Sequence, residues 1–311
     1  MNDTAPDLET AKSITEKYLD GVLRAERVVK GSSTYVYRMA AKSGTYYLRF
    51  LKENASFATE VLALNALYAA GVRVPRVIGF EHKNERTGLS VMLVDEIPGI
   101  CIEDDRPKTN LREILRDAGR QLARIHGIPV DGFGWIDKGS YEKLRGEKRS
   151  FNEYFSEYLE TDLQTLRRYP FSDEERMRIT ILMREARQTL DVRSAVLVHG
   201  DFDISHIFHS EGRYSGIIDF GEIRGNSRLF DLATFVGFYQ DRAMLAFLLE
   251  GYCETMRMTD EDLYATELMA LFMILRFLGK KADAPSRGHW YGLARKQLEQ
   301  LRSAPRHAVG G

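Results

Sequence analysis

The N-terminal third of the chain alternates short apolar segments with polar turns, a pattern typical of β-strands. Two stretches differ: Leu8, Ala11, Ile14 and Tyr18 recur at helical spacing, and the pattern over 57–70 predicts a helix that ends before a glycine. Strands are predicted in the segments ERVVK, YVYRMA, TYYLRFL, RVIGFEH and LSVMLVDEI. This order of strands, helix and strands predicts a small lobe of mixed α and β structure.

The rest of the chain has mainly helical periodicity. The segment IPGI at 97–100 contains proline and glycine and is predicted to join the two parts. From about Asn110 onwards helical patterns predominate, and clear strand patterns occur only around 195–220. The predicted fold class is therefore α+β, with a sheet-plus-helix N-terminal lobe over 1–97 and a mainly helical C-terminal lobe over 98–311.

Composition and charge exclude several classes of protein. The 311 residues contain 44 Lys and Arg against 45 Asp and Glu, so no overall positive charge favours nucleic acid as a partner. The polar N-terminus lacks a signal-peptide layout, and the longest apolar run, 268–275, is too short to cross a bilayer. Only Cys101 and Cys253 are present, which argues against a disulfide scaffold. We expect a cytoplasmic protein with no membrane partner, monomeric by default.

A predicted hairpin over 205–220 gathers the candidate chemistry. Gly212 and Arg213 suit a two-residue type II′ turn between its arms. Asp201, in the loop before the first arm, lies near the open end of the hairpin, and three ionisable groups at that end indicate a catalytic or metal-binding cluster. Loop aspartates that bind their own backbone are the alternative, and a one-residue slip would separate the groups. The register predicts these facing pairs: Glu211–Tyr214, Phe208–Ile217 and His206–Asp219.

Two motifs in this region are similar to those of a known family. LVHGDFDISHIF at 197–208 and GIIDFGEIRGNSRLFDLATF at 216–235 resemble the signature of the aminoglycoside phosphotransferases, relatives of the protein kinases. The earlier segments KGSSTYVYRM, YYLRF and VDEIPG occur in the matching order. The resemblance implies a bilobal protein-kinase-like fold, ATP or GTP as phosphate donor, and Mg²⁺. The segment after the second motif's IIDF is too short for a peptide-binding activation segment, which disfavours a protein kinase.

The resemblance also implies roles for residues of these motifs. Asp201 would accept or orient the proton of the substrate hydroxyl, and Asp219 would bind Mg²⁺. His206 stands where the usual residue is Asn, whose side-chain oxygen binds the metal; some macrolide and aminoglycoside phosphotransferases are similar to this chain in having His. We interpret His206 as a variant metal ligand, with Mn²⁺ tolerating nitrogen better than Mg²⁺, or else as a group beside a ligand. His199 and Asp231 are expected to support the loop.

Nucleotide-binding candidates lie in the N-terminal lobe. By resemblance, Arg49 takes the place of the strand lysine that grips the phosphates in protein kinases, with Glu60 as its ion-pair partner. An exposed strand residue and a solvated helix position are the alternative for this pair. Backbone N–H groups of the segment KGSST would bind the phosphates, although a plain turn also explains this segment. The connector between the lobes would offer a backbone carbonyl and a backbone amide to a purine. These backbone sites are Ser32, Ser33, Thr34, Asp95 and Ile97.

The acceptor is predicted from acidic residues. Glu153, Glu157 and Glu160 share one face of a predicted helix, and Glu222 follows the second motif. Such a face would attract a cationic, hydroxylated acceptor such as an aminoglycoside, but a solvated helix face explains the same pattern. A small-molecule O-phosphotransferase acting on an aminoglycoside-like antibiotic is therefore the first hypothesis. The alternatives are a kinase of a cellular amino alcohol or sugar, and a nucleotide-binding protein without transfer activity.

Overall fold

Five antiparallel strands and two helices form the N-terminal part of the computed structural model, which describes residues 5–29, 33–52, 55–107, 110–139 and 141–303. The strand order is β1-β2-β3-β5-β4. β2 and β3 alternate buried and half-buried positions, because one face of each strand is packed. The elements are α1 (Leu8–Thr15), β1 (Val22–Val28), β2 (Thr34–Ala41), β3 (Gly44–Leu51), α2 (Ala58–Ala69), β4 (Val77–Glu81) and β5 (Val91–Asp95).

Two apolar clusters hold this part of the protein. α1 contributes Ala11 and Ile14 to a small core with Tyr37, Leu48 and Phe50 of the sheet. α2 instead belongs to the large core that continues through the C-terminal part of the chain. The two parts are therefore packed against each other, and they are not joined by the connector alone.

Helices make up most of the C-terminal part. They are α3 (Leu111–Ile125), α4 (Phe151–Ser156), α5 (Leu159–Thr165), α6 (Asp173–Thr189), α7 (Leu229–Tyr239), α8 (Arg242–Tyr252), α9 (Asp260–Lys280) and α10 (Arg287–Ser303). α9 is buried along most of its length and contacts α5, α6, α7 and α10. A helix with apolar residues on most sides is stable only where other elements surround it, so α9 forms the centre of this part.

Two small antiparallel sheets are set among these helices. One has the order β7-β10-β13-β8-β9 and the other β12-β11-β6. Several of these strands have only two to four residues, which is why the sequence pattern predicted strands only around 195–220. The strands are β6 (Ile100–Cys101), β7 (Pro129–Val130), β8 (Phe133–Ile136), β9 (Gly146–Lys148), β10 (Ala195–Val198), β11 (Ile207–Ser210), β12 (Arg213–Ile217) and β13 (Arg224–Asn226).

The register predicted for the β11–β12 hairpin is wrong. The turn residues are Glu211 and Gly212, with φ values of 50° and 72°, and two positive φ angles are the feature of a type I′ turn rather than II′. The observed pairs are Ile207–Ile217, Phe208–Gly216, His209–Tyr214 and Ser210–Arg213, with an irregularity after the second pair. The predicted pairs Glu211–Tyr214 and Phe208–Ile217 do not form, because a glutamate adopts the left-handed conformation that we assigned to glycine alone.

The predicted acidic helix over 151–166 is also interrupted. α4 ends at Ser156 and α5 begins at Leu159, with Tyr158 between them at φ −126° and ψ 0°. Glu153 lies in α4 and Glu160 in α5, while Glu157 lies between the two helices. The single acidic face predicted for these residues therefore does not exist, because the i, i+4, i+7 spacing applies only to an unbroken helix.

The α+β fold class with a sheet-based N-terminal lobe and a mainly helical C-terminal lobe is confirmed. The division between residues 97 and 98 stays a prediction. Among the described residues, every helix is too short or too polar to cross a membrane.

Candidate active site

Asp231 anchors the loop that follows β10. Its buried carboxylate accepts hydrogen bonds from the backbone N–H groups of His199 (2.8 Å) and Gly200 (2.9 Å), and Nε2 of His126 lies 3.0 Å away. Burial alone would raise the pKa of Asp231, but the bonds from His126 and Gly200 lower it below its usual range. The contacts agree with the expectation that Asp231 is a structural partner of this loop.

Gly200 lets the loop approach the segment after β12. It has φ +86°, and a Cβ atom built there would lie 1.8 Å from the carbonyl oxygen of Glu222. Both the left-handed backbone and this close approach require glycine. The backbone of Glu222 is therefore pressed against the loop that carries Asp201.

The ring of His199 joins the loop to the end of the hairpin. Its Nε2 lies 2.9 Å from the carbonyl oxygen of Ile218, and its Nδ1 accepts a weak bond of 3.3 Å from the N–H of Asp201. Because a carbonyl oxygen can only accept, Nε2 carries the proton. Burial lowers the pKa of His199, so the ring is neutral. These bonds agree with the expected supporting role of His199.

The carboxylates of Asp201 and Asp203 differ in their hydrogen bonds. Asp203 accepts hydrogen bonds from the N–H (2.7 Å) and hydroxyl (2.5 Å) of Ser205, which is the local backbone role typical of a loop aspartate. Within the described part of the chain, the half-buried carboxylate of Asp201 makes no such bond. Burial raises the pKa of Asp201, and the charge of Asp203 adds to this while His206 opposes it. Asp201 is the carboxylate left available for a substrate.

His206 directs one ring nitrogen towards Asp219. Its Nδ1 lies 2.8 Å from the carbonyl oxygen of Asp201, so Nδ1 carries a proton, and in the neutral ring Nε2 is the nitrogen with the free lone pair. Nε2 is 3.7 Å from Oδ2 of Asp219. Two atoms that are each about 2.1 Å from one ion are about 3.0 Å apart when adjacent and about 4.2 Å apart when opposite. The observed separation lies between these values, so a small side-chain movement would let both atoms bind one divalent cation, and a nitrogen ligand suits Mn²⁺ at least as well as Mg²⁺.

The predicted approach of His206 to Asp219 thus occurs, although it was argued from the wrong register. The last backbone bond of the hairpin runs from the N–H of Ile218 to the carbonyl of His206 (3.1 Å). Asp219 then adopts φ 66° and ψ 67°, and this left-handed turn is what places its carboxylate near His206. A second group of possible ligands shares the site, since atoms of Asp201, Asp203 and His206 lie within 4.8 Å of one another.

Arg49 connects the N-terminal lobe to this site. Its Nη1 forms an ion pair with Glu60 of α2, and its Nη2 lies 3.9 Å from Oδ1 of Asp219. The guanidinium also lies over the ring of Phe57, 5.2 Å from its centroid. Burial acts to lower the pKa of Arg49, but the negative charges of Glu60 and Asp219 outweigh it and raise the pKa. We call these five residues the transfer cluster: Arg49, Glu60, Asp201, His206 and Asp219.

The backbone sites predicted for the nucleotide lie at opposite ends of the N-terminal sheet, since Thr34 pairs with Leu51 at the end of β3 and Asp95 pairs with Tyr46 near its start. Ser33 precedes β2 and Thr34 begins it, whereas Ser32 lies outside the described residues. Asp95 ends β5, and its Oδ1 accepts a hydrogen bond of 2.6 Å from the N–H of Arg76. Ile97 follows and packs against Gly216 of β12. Their contacts with a nucleotide stay predictions.

The acidic residues predicted to bind the acceptor are not brought together. Glu153 accepts a bond from the N–H of Arg149 (2.9 Å), and Glu157 pairs with Lys148 (2.7 Å). Glu222 lies next to the catalytic loop, where burial raises its pKa and the charges of Asp201 and Asp219 add to that effect.

The residue that the sequence analysis missed is Arg224, whose Nη2 binds Glu222 (3.0 Å). The only sequence signal for Arg224 was its position two residues after Glu222, because residues two apart in a strand lie on the same face. No strand was predicted at this point, so the signal was not recognised.

The comparisons identify the family. Residues 24–264 match the phosphotransferase enzyme family, while no curated protein matches at a significant level. A thermostable mutant of aminoglycoside phosphotransferase APH(4)-Ia, in a ternary complex with AMP-PNP and hygromycin B, has a TM-score of 0.69 at 14% identity, over 94% of this chain and 99% of that one. Spectinomycin phosphotransferase APH(9)-Ia, in complex with ADP and spectinomycin, has a TM-score of 0.65 at 12% identity, over 97% and 99%.

A third similar structure comes from Haemophilus somnus 129PT and is assigned as a fructosamine-3-kinase. It has a TM-score of 0.60 at 15% identity, over 90% of this chain and 91% of that one. At these identities the structures establish the shared fold, whereas the family match covers most of the sequence. The chain belongs to the phosphotransferase enzyme family and is a phosphotransferase with the kinase-like fold expected from its motifs.

Proposed function

We propose that the protein transfers the γ-phosphate of ATP or GTP to a hydroxyl group of a small molecule, with an aminoglycoside-like compound as the first acceptor class. The observation that carries this proposal is the transfer cluster, in which two carboxylates, an imidazole and a paired guanidinium meet between the lobes. Phosphoryl transfer requires positioning and neutralisation of charge, and these are the groups that supply both.

Asp201 would orient the acceptor hydroxyl and receive its proton. The loop around it is fixed on one side by Asp231 and on the other by the ring of His199. A carboxylate held by its own backbone in this way keeps its direction without spending its oxygens on internal bonds. Those oxygens are then free for the hydroxyl, as a general base requires.

Asp219 and Nε2 of His206 would hold the divalent ion. Such an ion would neutralise negative charge on the phosphate groups of the donor. Arg49 can bind further phosphate oxygens through its planar guanidinium, and its ion pair with Glu60 keeps it directed towards Asp219. Backbone groups near Ser33, Thr34, Asp95 and Ile97 would bind the remainder of the nucleotide, as would Ser32. The AMP-PNP and ADP in the related structures support a nucleotide as donor.

The acceptor class rests on weaker support. Glu222 offers a carboxylate beside Asp201 that could receive an amino group, and the related structures contain hygromycin B and spectinomycin. Glu153 and Glu157, however, bind neighbouring groups of their own chain segment. That observation, together with the fructosamine-3-kinase fold, favours a kinase of a cellular sugar or amino alcohol as the second candidate.

The test is nucleotide consumption by the purified protein with ATP and with GTP, in Mg²⁺ or Mn²⁺, against aminoglycosides, macrolides, sugars and amino alcohols. We expect transfer to at least one class, and about a 10³-fold or greater loss for Asp201→Asn with nucleotide binding retained. Asp191→Asn, at an exposed position, is the matched control. Near-full activity of Asp201→Asn would contradict the assignment, and nucleotide binding without transfer to any acceptor would favour a binding protein.

A further inference from the structure

A cavity of about 160 Å³ lies beside the transfer cluster in the C-terminal lobe. It is enclosed by β8, β9, the segment of α4 and α5, and the C-terminal half of α9. None of the sequence motifs points to it. We call it the basic pocket, after the side chains that dominate its lining: Trp135, Lys148, Glu157, Arg224, Arg276 and Lys280.

Three of the four cations in the basic pocket are already paired. Lys148 binds Glu157 (2.7 Å), and Arg224 binds Glu222 (3.0 Å). Arg276 binds both carboxylate oxygens of Asp162 through Nη1, at 2.6 and 2.8 Å. Lys280 takes part in none of the ion pairs formed by the described residues. Glu157, Glu222 and Asp162 are thus each engaged by one of these cations, and Lys280 is left facing the pocket. Glu147, also in the lining, is exposed to solvent and forms no ion pair with any residue that the structure describes.

The two arginines are held by stacking. The guanidinium carbon of Arg224 lies 3.8 Å from the ring centroid of Trp135, and that of Arg276 lies 3.9 Å from the centroid of Tyr158. A guanidinium stacked on a ring keeps its N–H donors in the plane, where they can bind a planar anion. Stacking therefore fixes both groups in position before any ligand arrives.

Two buried donors lie behind the lining of the pocket. Nε of Arg224 and Nδ2 of Asn226 are closed to solvent and make no hydrogen bond of ordinary geometry with the described residues. Burial raises the pKa of the Tyr154 hydroxyl, and these two residues oppose that rise. The two nitrogen atoms therefore act on the pocket through Tyr154, which lines it, and are not themselves donors to a ligand.

The charges around Lys280 also favour a negatively charged ligand. Burial lowers the pKa of Lys280, and repulsion from Arg276 and Arg224 lowers it further, against the opposing attraction of Glu222 and Asp162. The surrounding carboxylates therefore do not compensate for the arginines at this position. A negatively charged ligand would remove that repulsion.

The basic pocket lies close to the catalytic loop. Arg224 in its wall binds Glu222, and the carbonyl of Glu222 lies against Gly200, which precedes Asp201. Burial raises the pKa of Glu222, and the charges of Asp201 and Asp219 add to this, so both carboxylates lie near it. Glu222 therefore stands between the pocket and the carboxylate of Asp201.

We propose that the basic pocket binds an anionic group, a carboxylate or a phosphate, of the acceptor whose hydroxyl is presented to Asp201. The inference rests on the proposed phosphotransfer and makes its substrate class narrower. Such an acceptor is a hydroxylated acid or a phosphorylated compound, so the inference favours a cellular metabolite, the second candidate of the proposed function, over an aminoglycoside. The size of the pocket suits one such group, and Arg224, Arg276 and Lys280, beside Lys148, supply the donors that would bind it.

Binding is tested first, without any requirement for turnover. The chain contains two tryptophans, so Trp290→Phe leaves Trp135 of the basic pocket as the single tryptophan, which can be excited selectively over tyrosine at long wavelength. Titration with glycerate, glycerol 3-phosphate and inorganic phosphate at constant ionic strength should change its emission in a saturable way, while glycerol should not. Lys280→Gln should weaken the response about fivefold, and Lys281→Gln, the same change at the next residue, should leave it unaltered.

Turnover is tested with the same compounds, and with serine against serinol and with kanamycin. We expect nucleotide consumption to be faster with the anionic member of each pair, and Lys280→Gln to raise KM with little change in kcat. No saturable fluorescence change, or one unaltered by Lys280→Gln, would overturn the inference, as would transfer only to neutral or cationic acceptors. Those results leave the proposed function standing, whereas loss of nucleotide binding or transfer alone would count against that function.

Discussion

The transfer cluster and the basic pocket are linked through the ion pair of Glu222 with Arg224 but differ in how their residues are fixed. In the transfer cluster, Asp201, His206 and Asp219 lie within one loop and hairpin, and backbone hydrogen bonds set their positions. The side chains of the basic pocket come from five separate elements and are held by stacking and ion pairs. The chemistry therefore depends on a local backbone arrangement, whereas acceptor recognition depends on the packing of distant elements.

This difference indicates where amino-acid substitutions are tolerated. A change of side chain in the basic pocket alters charge or shape and leaves the backbone of the neighbouring elements in place. In the loop, Gly200 has no room for a Cβ atom, and the backbone of His199 and Gly200 is bound by Asp231. We expect acceptor preference to change by substitution much more readily than the transfer step does.

The largest effect is expected for Asp219→Asn. Removing the charge weakens the candidate metal site and leaves Arg49 with only Glu60 as a partner. We expect transfer to fall by about 10³-fold or more, with the KM for metal raised and the fold unchanged. Steady-state rates across a Mg²⁺ titration measure this, with Asp191→Asn as the control. A loss smaller than tenfold would show that the hairpin end does not carry the metal.

Asp231→Ala should act on stability as well as activity. It leaves His126 and the N–H groups of His199 and Gly200 without their buried partner. We expect the free energy of unfolding to fall by about 3–5 kcal/mol, as measured by urea denaturation. Asp191→Asn should change it by less than about 0.5 kcal/mol. If Asp231→Ala were as stable as the parent, the loop would be fixed by something other than these bonds.

A smaller effect is expected for His206→Asn, which places an amide oxygen where Nε2 now lies. Because Mg²⁺ prefers oxygen and Mn²⁺ tolerates nitrogen, the ratio of Mn²⁺- to Mg²⁺-supported activity should fall, by about tenfold. The measurement is kcat/KM with each ion in the parent and the variant. An unchanged ratio would mean that the ring does not touch the ion, and His206 would then belong to the loop support with His199.

The sequence pointed to all the residues that the structure brings together in the transfer cluster but to only Glu157 among those of the basic pocket, for the same physical reason. Short-range motifs brought His206 towards Asp219 even though the turn was misjudged, because the left-handed turn at Asp219 compensates for the shifted register. The acidic helix failed because FNEYFSEYLETD contains no glycine or proline to signal the break at Tyr158. Arg224 of β13 and Lys280 of α9 line the same cavity although they are far apart in the sequence, and no local pattern records such a meeting.

The smallest expected effect is a pH dependence of the free energy of unfolding that arises at Asp162, the partner of Arg276 in the basic pocket. Burial raises the pKa of Asp162 to about 6, although Arg276 acts to lower it. The folded state therefore binds a proton more tightly than the unfolded state between about pH 4 and pH 6, so this residue's contribution to stability increases as the pH falls through that range. From pH 7 to pH 5 it should amount to roughly 1 kcal/mol in the free energy of unfolding. Asp162→Asn should remove that increment and leave the contribution of other groups unchanged. An identical pH profile for parent and variant would mean that Arg276 keeps Asp162 ionised. The charge of Arg276 would then be fully neutralised before any acceptor binds.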